Sequence, residues 1–159
     1  MSCVVVVGNP KPKSRTLEAG VLVAQKLTGR APDRVIDLIE LGPALLEYGN
    51  TAVADAMKAV AGAKVAVVAS PTYKATYTGL LKLFLDQFPP DGLANVTAFP
   101  VMLGAGPAHA LAPDLLLKPV LVELGATCPA AGLYLIDKSF AEDPRLDAWV
   151  ARAKRHVPA

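Results

Sequence analysis

The chain of 159 residues holds two cysteines, Cys3 and Cys128, and two histidines, His109 and His156. Cysteines so few and so far apart give no disulfide framework, and the histidines stand in no cluster with metal-ligand spacing. Both cysteines read as core residues. Charged residues make up 19% of the chain and the net charge is +2. So mild a balance offers no broad basic surface for nucleic acid, while leaving room for a local positive site. No apolar run reaches the roughly 20 residues of a membrane span, and the first residues lack the basic start and small-residue cleavage site of a secretory signal. These absences predict a cytoplasmic protein with no membrane partner. Repeats and low-complexity tracts are also missing, and the length suits a single domain over 1–159.

Hydrophobic residues, 53% of the chain, fall into five strand candidates, each followed by a segment of helical length. Val4 to Val7 is an unbroken β-branched run, as in a strand buried on both faces. Thr16 is placed to cap a helix with Leu17, Gly20, Val21, Ala24 and Leu27 on one face, stopped by Gly29. Arg34 to Leu38 reads as a second strand. Beyond a loop holding Gly42, Pro43, Gly49 and Asn50, the spacing of Val53, Met57 and Val60 predicts a helix ending at Gly62. Lys64 to Ser70 is a third strand closed by Pro71, and Thr78 to Phe88 an apolar helix stopped by Pro89-Pro90-Asp91-Gly92. Val96 to Leu103 is the fourth strand, in which Pro100 suggests a bulge or an edge because it has no N–H for the ladder. In the helix that follows, about Ala110 to Leu124, Pro113 fits the first turn, but Pro119 should kink or break it. Leu133 to Ile136 is the fifth strand, and Asp143-Pro144 opens a last helix with Leu146, Trp149, Val150 and Ala153 inward. This alternation predicts an α/β fold, a five-stranded parallel sheet in the order 2-1-3-4-5 with helices on both faces. Ligands of such sheets bind beyond the carboxyl ends of the strands, so the loops after strands one, three and four should meet at one site.

Each of those loops supports two readings. Gly8 lets the first turn sharply toward a helix N-terminus, and it carries Lys11, Lys13, Arg15, Ser14 and Thr16, a trap for an anion such as phosphate or else a solvated basic cap. It fails the P-loop pattern, since no glycine precedes Lys13-Ser14 and the spacing from Gly8 is one residue short, and Gly8 lacks the partner glycines of the dinucleotide fingerprint. The second, Ser70 to Gly79, is small, hydroxylated and aromatic without an acid, suited to a planar heterocycle or else a turn with Tyr73 packed on a helix. A phosphoryl-accepting aspartate site is disfavoured, because Asn9 and Ser70 stand where carboxylates would be needed. The third, Gly104-Ala105-Gly106-Pro107-Ala108-His109, has almost no side chain before His109 and permits close backbone approach to a flat ligand. A lone histidine at a helix start reads as a capping or hydrogen-bonding residue before a proton-transfer one.

Gly8-Asn9-Pro10-Lys11 with Ser14-Arg15-Thr16, and Ser70-Pro71-Thr72-Tyr73-Lys74-Ala75 with Gly79-Leu80-Leu81-Lys82 and Asp86, resemble the NADPH-dependent FMN reductase family of flavodoxin-like proteins. Ala108-His109-Ala110-Leu111-Ala112 followed by Leu117-Lys118-Pro119-Val120-Leu121 is similar to the flavin reductase components of two-component alkanesulfonate monooxygenase systems. The resemblance runs to about Gly125. It implies a flavodoxin-like three-layer sandwich and a reductase passing a hydride from NADPH (or NADH) to FMN, with supply of reduced flavin to a monooxygenase as one use. Asn9, Lys11, Ser14, Arg15 and Thr16 would then hold the FMN phosphate. Pro71, Thr72, Tyr73 and Lys74, with Gly104, Ala105 and Gly106, would border the isoalloxazine, and His109 would stand at the end of that loop. No acid or base side chain is expected to be catalytic, because the hydride chemistry is the cofactor's. The implied assembly is a homodimer or homotetramer pairing through the helices after strands three and four. Two residues depart from the family: Lys11 replaces the usual arginine, and Leu115 replaces an aromatic tied to tetramer packing and flavin release. The chain also ends soon after its fifth strand and helix, without the tail of some relatives. An FMN-bound quinone, azo or metal-ion reductase stays open, as does a flavin-free interaction module. A flavodoxin-like electron carrier fits less well, for want of an aromatic in the third loop and of strong acidity.

Overall fold

The β-branched run near the start forms β1 (Cys3–Val7), buried throughout, and its side chains divide by parity. In the computed structural model, which describes residues 1–159, Cys3, Val5 and Val7 enter a core covered by α1 (Arg15–Thr28) and α5 (Pro144–Ala153). Val4 and Val6 enter a second core beneath α2 (Thr51–Ala61), α3 (Gly79–Leu85) and α4 (Lys118–Glu123). Successive strand residues point to opposite faces, so an all-apolar strand is what two cores require.

The other strands are β2 (Arg34–Asp37), β3 (Val65–Pro71), β4 (Thr97–Gly104) and β5 (Leu133–Ile136), and the sheet order is β2-β1-β3-β4-β5, all parallel. The fold is the expected flavodoxin-like sandwich of one sheet between two helical layers. Both edge strands have only four residues, which limits the unpaired edge each presents. In the α1/α5 layer Trp149 packs edge-on against Phe99 at 5.9 Å, and its indole N–H donates to the Ala131 carbonyl at 2.7 Å.

Several boundaries differ from the sequence expectation. Ser14, not Thr16, caps α1, its hydroxyl accepting from the Leu17 N–H at 3.3 Å. The buried face keeps Gly20, Ala24 and Leu27 and adds Ala19 and Val23, with Val21 and Leu17 only half-buried. β2 stops at Asp37, and Leu38 begins a short tight turn. β3 runs on through Pro71, which pairs with Leu103. α3 ends at Leu85, after which Gln87 and Phe88 bond three residues back, to Phe84 and Leu85, in a tightened exit before Pro89.

Pro100 marks neither a bulge nor a sheet edge, since β4 pairs in unbroken register with β3 through it. Ala98 donates to Thr127 on the β5 side, so by alternation the nitrogen of Pro100 faces that side too. It falls between the Thr127 bridge and the start of β5 pairing at Val101, where no ladder bond is needed.

The predicted Ala110 to Leu124 segment winds continuously from Ala112 to Glu123, and Pro119 changes the winding without breaking it. Pro113–Leu117 winds as a π-helical turn, the Lys118 N–H reaching the Pro113 carbonyl, and α4 follows with Pro119 in its first turn, where a proline nitrogen costs nothing. The wider π turn takes up the missing N–H of Pro119 without ending the helix.

Candidate functional site

Gly8 is held at the end of β1 by its N–H to the Ala69 carbonyl at 2.8 Å. Its φ is not left-handed; what demands glycine is α3, because a Cβ would lie 2.5 Å from the Cβ of Leu81. The Thr78 hydroxyl donates to the Gly8 carbonyl at 2.5 Å and accepts from the Leu81 N–H at 3.1 Å, tying the first loop to the cap of α3. The expected role of Gly8 as a turn residue is thus corrected to one of close packing.

Beyond Gly8 the loop is tied internally. The Asn9 side chain accepts from the Lys11 N–H at 2.9 Å and donates to the Thr16 hydroxyl at 2.9 Å, which leaves the Thr16 proton free to donate elsewhere. Asp37, at the end of β2, accepts from the Lys13 N–H at 3.2 Å and holds Lys13 at a left-handed φ of 50°. Asp37 is buried, and burial, the largest influence, pushes its carboxyl above the ordinary range despite the pull of the Lys13 N–H. With their backbones fixed, Lys11, Lys13 and Arg15 project exposed cationic heads around the free N–H groups that begin α1.

At the end of β3, the Ser70 hydroxyl accepts from the Thr78 N–H and donates to the Pro71 carbonyl, and the Thr72 N–H donates to the Leu103 carbonyl at 2.7 Å. Tyr73 and Thr76 exchange backbone bonds across a two-residue hairpin whose central residues, Lys74 and Ala75, have φ of 50° and 72°. Such a turn suits glycine or asparagine; here it holds Tyr73 half-exposed beside the cleft.

At the end of β4, a Cβ on Gly104 would lie 1.8 Å from the Tyr134 hydroxyl, which donates to the Gly106 carbonyl at 2.8 Å. Gly104 is therefore glycine because of Tyr134, whereas the space beside Gly106 is open. The Asp137 N–H, just past β5, donates to the Gly104 carbonyl at 3.0 Å.

These loops enclose a cleft of about 500 Å³ at the carboxyl edge of the sheet. Of the predicted residues, Asn9, Lys11, Ser14, Arg15 and Thr16 line it from the first loop, Pro71, Thr72 and Tyr73 from the second, and Gly104 and Ala105 from the third. Gly106 and His109 instead line an adjoining hollow of about 330 Å³ that shares Thr72, Gly104 and Ala105. Lys74 is exposed on the hairpin and lines neither. The cleft also includes Lys13, Glu18, Leu103 and Asp137, which the predicted set omitted. Two buried side-chain oxygens in its wall have no partner, Thr72 Oγ1 and Asp137 Oδ1. Cationic on one flank and holding unspent polar atoms near the Gly104 backbone on the other, the cleft suits a ligand with an anionic head and a hydrogen-bonding body. The cysteines stand apart from it, and burial pushes both thiols up to about 11.

Residues 1–141 match the family model described as NADPH-dependent FMN reductase. An FMN reductase (NADPH) of Pseudomonas putida is 40% identical over 82 residues, which cover 52% of this chain and 42% of that protein, so the match spans less than half of that relative. The NADH-dependent FMN reductase SfnF of Pseudomonas putida is 31% identical over 146 residues, 86% of this chain and 78% of SfnF. Among solved structures, the apo form of the NADH:FMN oxidoreductase EMOB superposes with a TM-score of 0.87 at 33% identity, covering 98% of this chain and 87% of that one.

Proposed function

The chain belongs to the NADPH-dependent FMN reductase family, and from that premise we propose that it is an NAD(P)H-dependent FMN reductase. The observation that carries the reading is the convergence of three loops on one cleft, with Lys11, Lys13 and Arg15 at the N-terminus of α1 and the unpartnered Thr72 hydroxyl toward its far side. These residues fit FMN. The three cations, the Ser14 and Thr16 hydroxyls and the first N–H groups of α1 would hold the monophosphate, while Asn9, whose amide is spent inside the loop, sets its shape. Pro71, Thr72 and Tyr73 with Gly104, Ala105 and Gly106 would border the isoalloxazine, the exposed Tyr73 ring offering a face and the backbone offering edge bonds. Lys74 on the hairpin and His109 in the adjoining hollow stand where the nicotinamide dinucleotide would approach.

When bound, FMN supplies the ring that accepts a hydride from NADPH or NADH. The chain's own residues bind and orient two flat molecules, and no side chain has to move a proton. Reduced flavin would serve a monooxygenase, and the work would be cytoplasmic, where the nicotinamide donor is made. The assembly would be a homodimer or homotetramer formed through the surface after β4, where Leu111, Leu115, Leu116 and Val122 are exposed.

The test is loss of reduced-nicotinamide absorbance with purified protein, with and without added FMN. Flavin-dependent oxidation of NADPH or NADH is expected; no flavin-dependent loss with either donor would defeat the reading. Replacing both Ser14 and Arg15 by alanine should weaken FMN binding about tenfold or more, because a charge-assisted contact is worth roughly 1.5–3 kcal/mol. Unchanged flavin affinity would reduce the loop to a helix cap.

A further inference from the structure

We propose that Asp137 competes with the ligand's phosphate for Arg15, making the cleft a loose site from which flavin exchanges as a substrate. This rests on the reading of the cleft as an FMN site and concerns how firmly that site holds its ligand.

Arg15 and Asp137 lie 122 positions apart in sequence, on the first turn of α1 and just past β5, and face each other across the cleft wall. One guanidinium nitrogen, Nη1, reaches Asp137 Oδ2 at 3.4 Å. A single long contact is a poor match for a fork that can grip two oxygens at once, so Arg15 is held without being saturated. Its side chain is 59% exposed and can turn to another anion. Asp137 is the more enclosed partner, its side chain 32% exposed: its N–H is bonded to the Gly104 carbonyl, and Oδ1 is buried without a partner. A phosphate entering beside Lys11 and Lys13 must draw Arg15 from the carboxylate and leave Asp137 in the same cleft with its counter-charge removed. Asp137 thus subtracts from affinity for any phosphate-bearing flavin and acts little on one without phosphate.

The experiment is a fluorescence titration of FMN and of riboflavin into wild-type protein and Asp137→Asn, repeated in an Arg15→Gln background, with circular dichroism to verify each fold. Asparagine keeps the shape and removes the charge. Asp137→Asn should tighten FMN binding roughly two- to fivefold, the scale of a lost exposed ion pair, and leave riboflavin unchanged. In Arg15→Gln the gain should disappear. If Asp137→Asn weakens both flavins, the carboxylate is a ligand of the ribityl hydroxyls, and the proposal is overturned. An equal gain in the Arg15→Gln background overturns it too, because competition for Arg15 would not be the cause. Failure of folded wild-type protein to bind either flavin would be a different result: it removes the flavin reading itself, and this proposal with it.

Discussion

At the scale of single residues, the first loop is shaped by a buried acid more than by its exposed bases. Asp37 fixes Lys13 through one oxygen and leaves the other buried without a partner. Because burial raises its folded-state value above the unfolded one, the folded chain takes up the proton more readily than the unfolded chain. That stabilisation is complete below the ordinary carboxylate range and is lost as pH rises through the raised value. Urea midpoints of the wild type should therefore fall as pH rises from the ordinary carboxylate range through the raised value of Asp37. Asp37→Asn can still accept from the Lys13 N–H, so it should flatten that fall and be the more stable protein at neutral pH, with the gain fading in acid. Identical pH slopes for the two proteins would show that Asp37 carries no such load. Of these residues the sequence displayed the bases and hid the acids. Lys11, Lys13 and Arg15 are legible because they crowd one short loop, whereas Asp37 and Asp137 are single carboxylates, one ending β2 and one following β5. Each gains its meaning from a partner far along the chain that only the sheet order brings close.

At the scale of elements, most of the pattern was legible because strands and helices each carry their own period and stop signal. β5 and the inward face of α5 fall where alternation, Asp143-Pro144 and helical spacing put them. The errors share a cause, competition between neighbouring candidates for one role. Ser14 and Thr16 are both acceptable caps, and Ser14 takes the role through its bond from the Leu17 N–H while the Thr16 hydroxyl accepts from the Asn9 amide. Gly8 and Gly104 invite a reading as flexible or ligand-facing, yet each makes room for a specific side chain, Leu81 and Tyr134. The contact between the first loop and α3 shows how much depends on such joints. Thr78 caps α3 and also donates to the Gly8 carbonyl, and the residue is 3% exposed. Thr78→Val keeps the shape and removes both bonds, so it should cost about 2–4 kcal/mol in urea denaturation, one part for the lost cap and one for the stranded Gly8 carbonyl. A loss below about 0.5 kcal/mol would mean that water replaces the hydroxyl and the joint is not structural.

At the scale of the whole molecule, the cleft lies at one edge of the sheet and the exposed apolar surface begins beside it. Pro107, Ala108 and His109 line both the hollow next to the cleft and a second hollow with Leu111, Leu115 and Leu116. Leu111 and Leu115 are 65% and 64% exposed and stand on either side of Pro113, which begins the π-helical turn. The π turn runs directly into the helical turn that holds Pro119, whose missing N–H an α-helical bond could not use, so backbone chemistry and surface pattern act on the same segment. Leucines so exposed contribute little to folding of the single chain, and replacing them by charge should leave its stability within about 0.5 kcal/mol. For the proposed dimer or tetramer the same change places charges in an apolar interface with no partner. Leu111→Glu with Leu115→Glu should therefore convert the assembly to single chains by light scattering while circular dichroism and the urea midpoint stay near those of the wild type. A double variant that keeps the wild-type mass would move the interface elsewhere. A wild type that is itself a single chain at high concentration would remove the proposed assembly and leave these leucines a solvent-exposed surface.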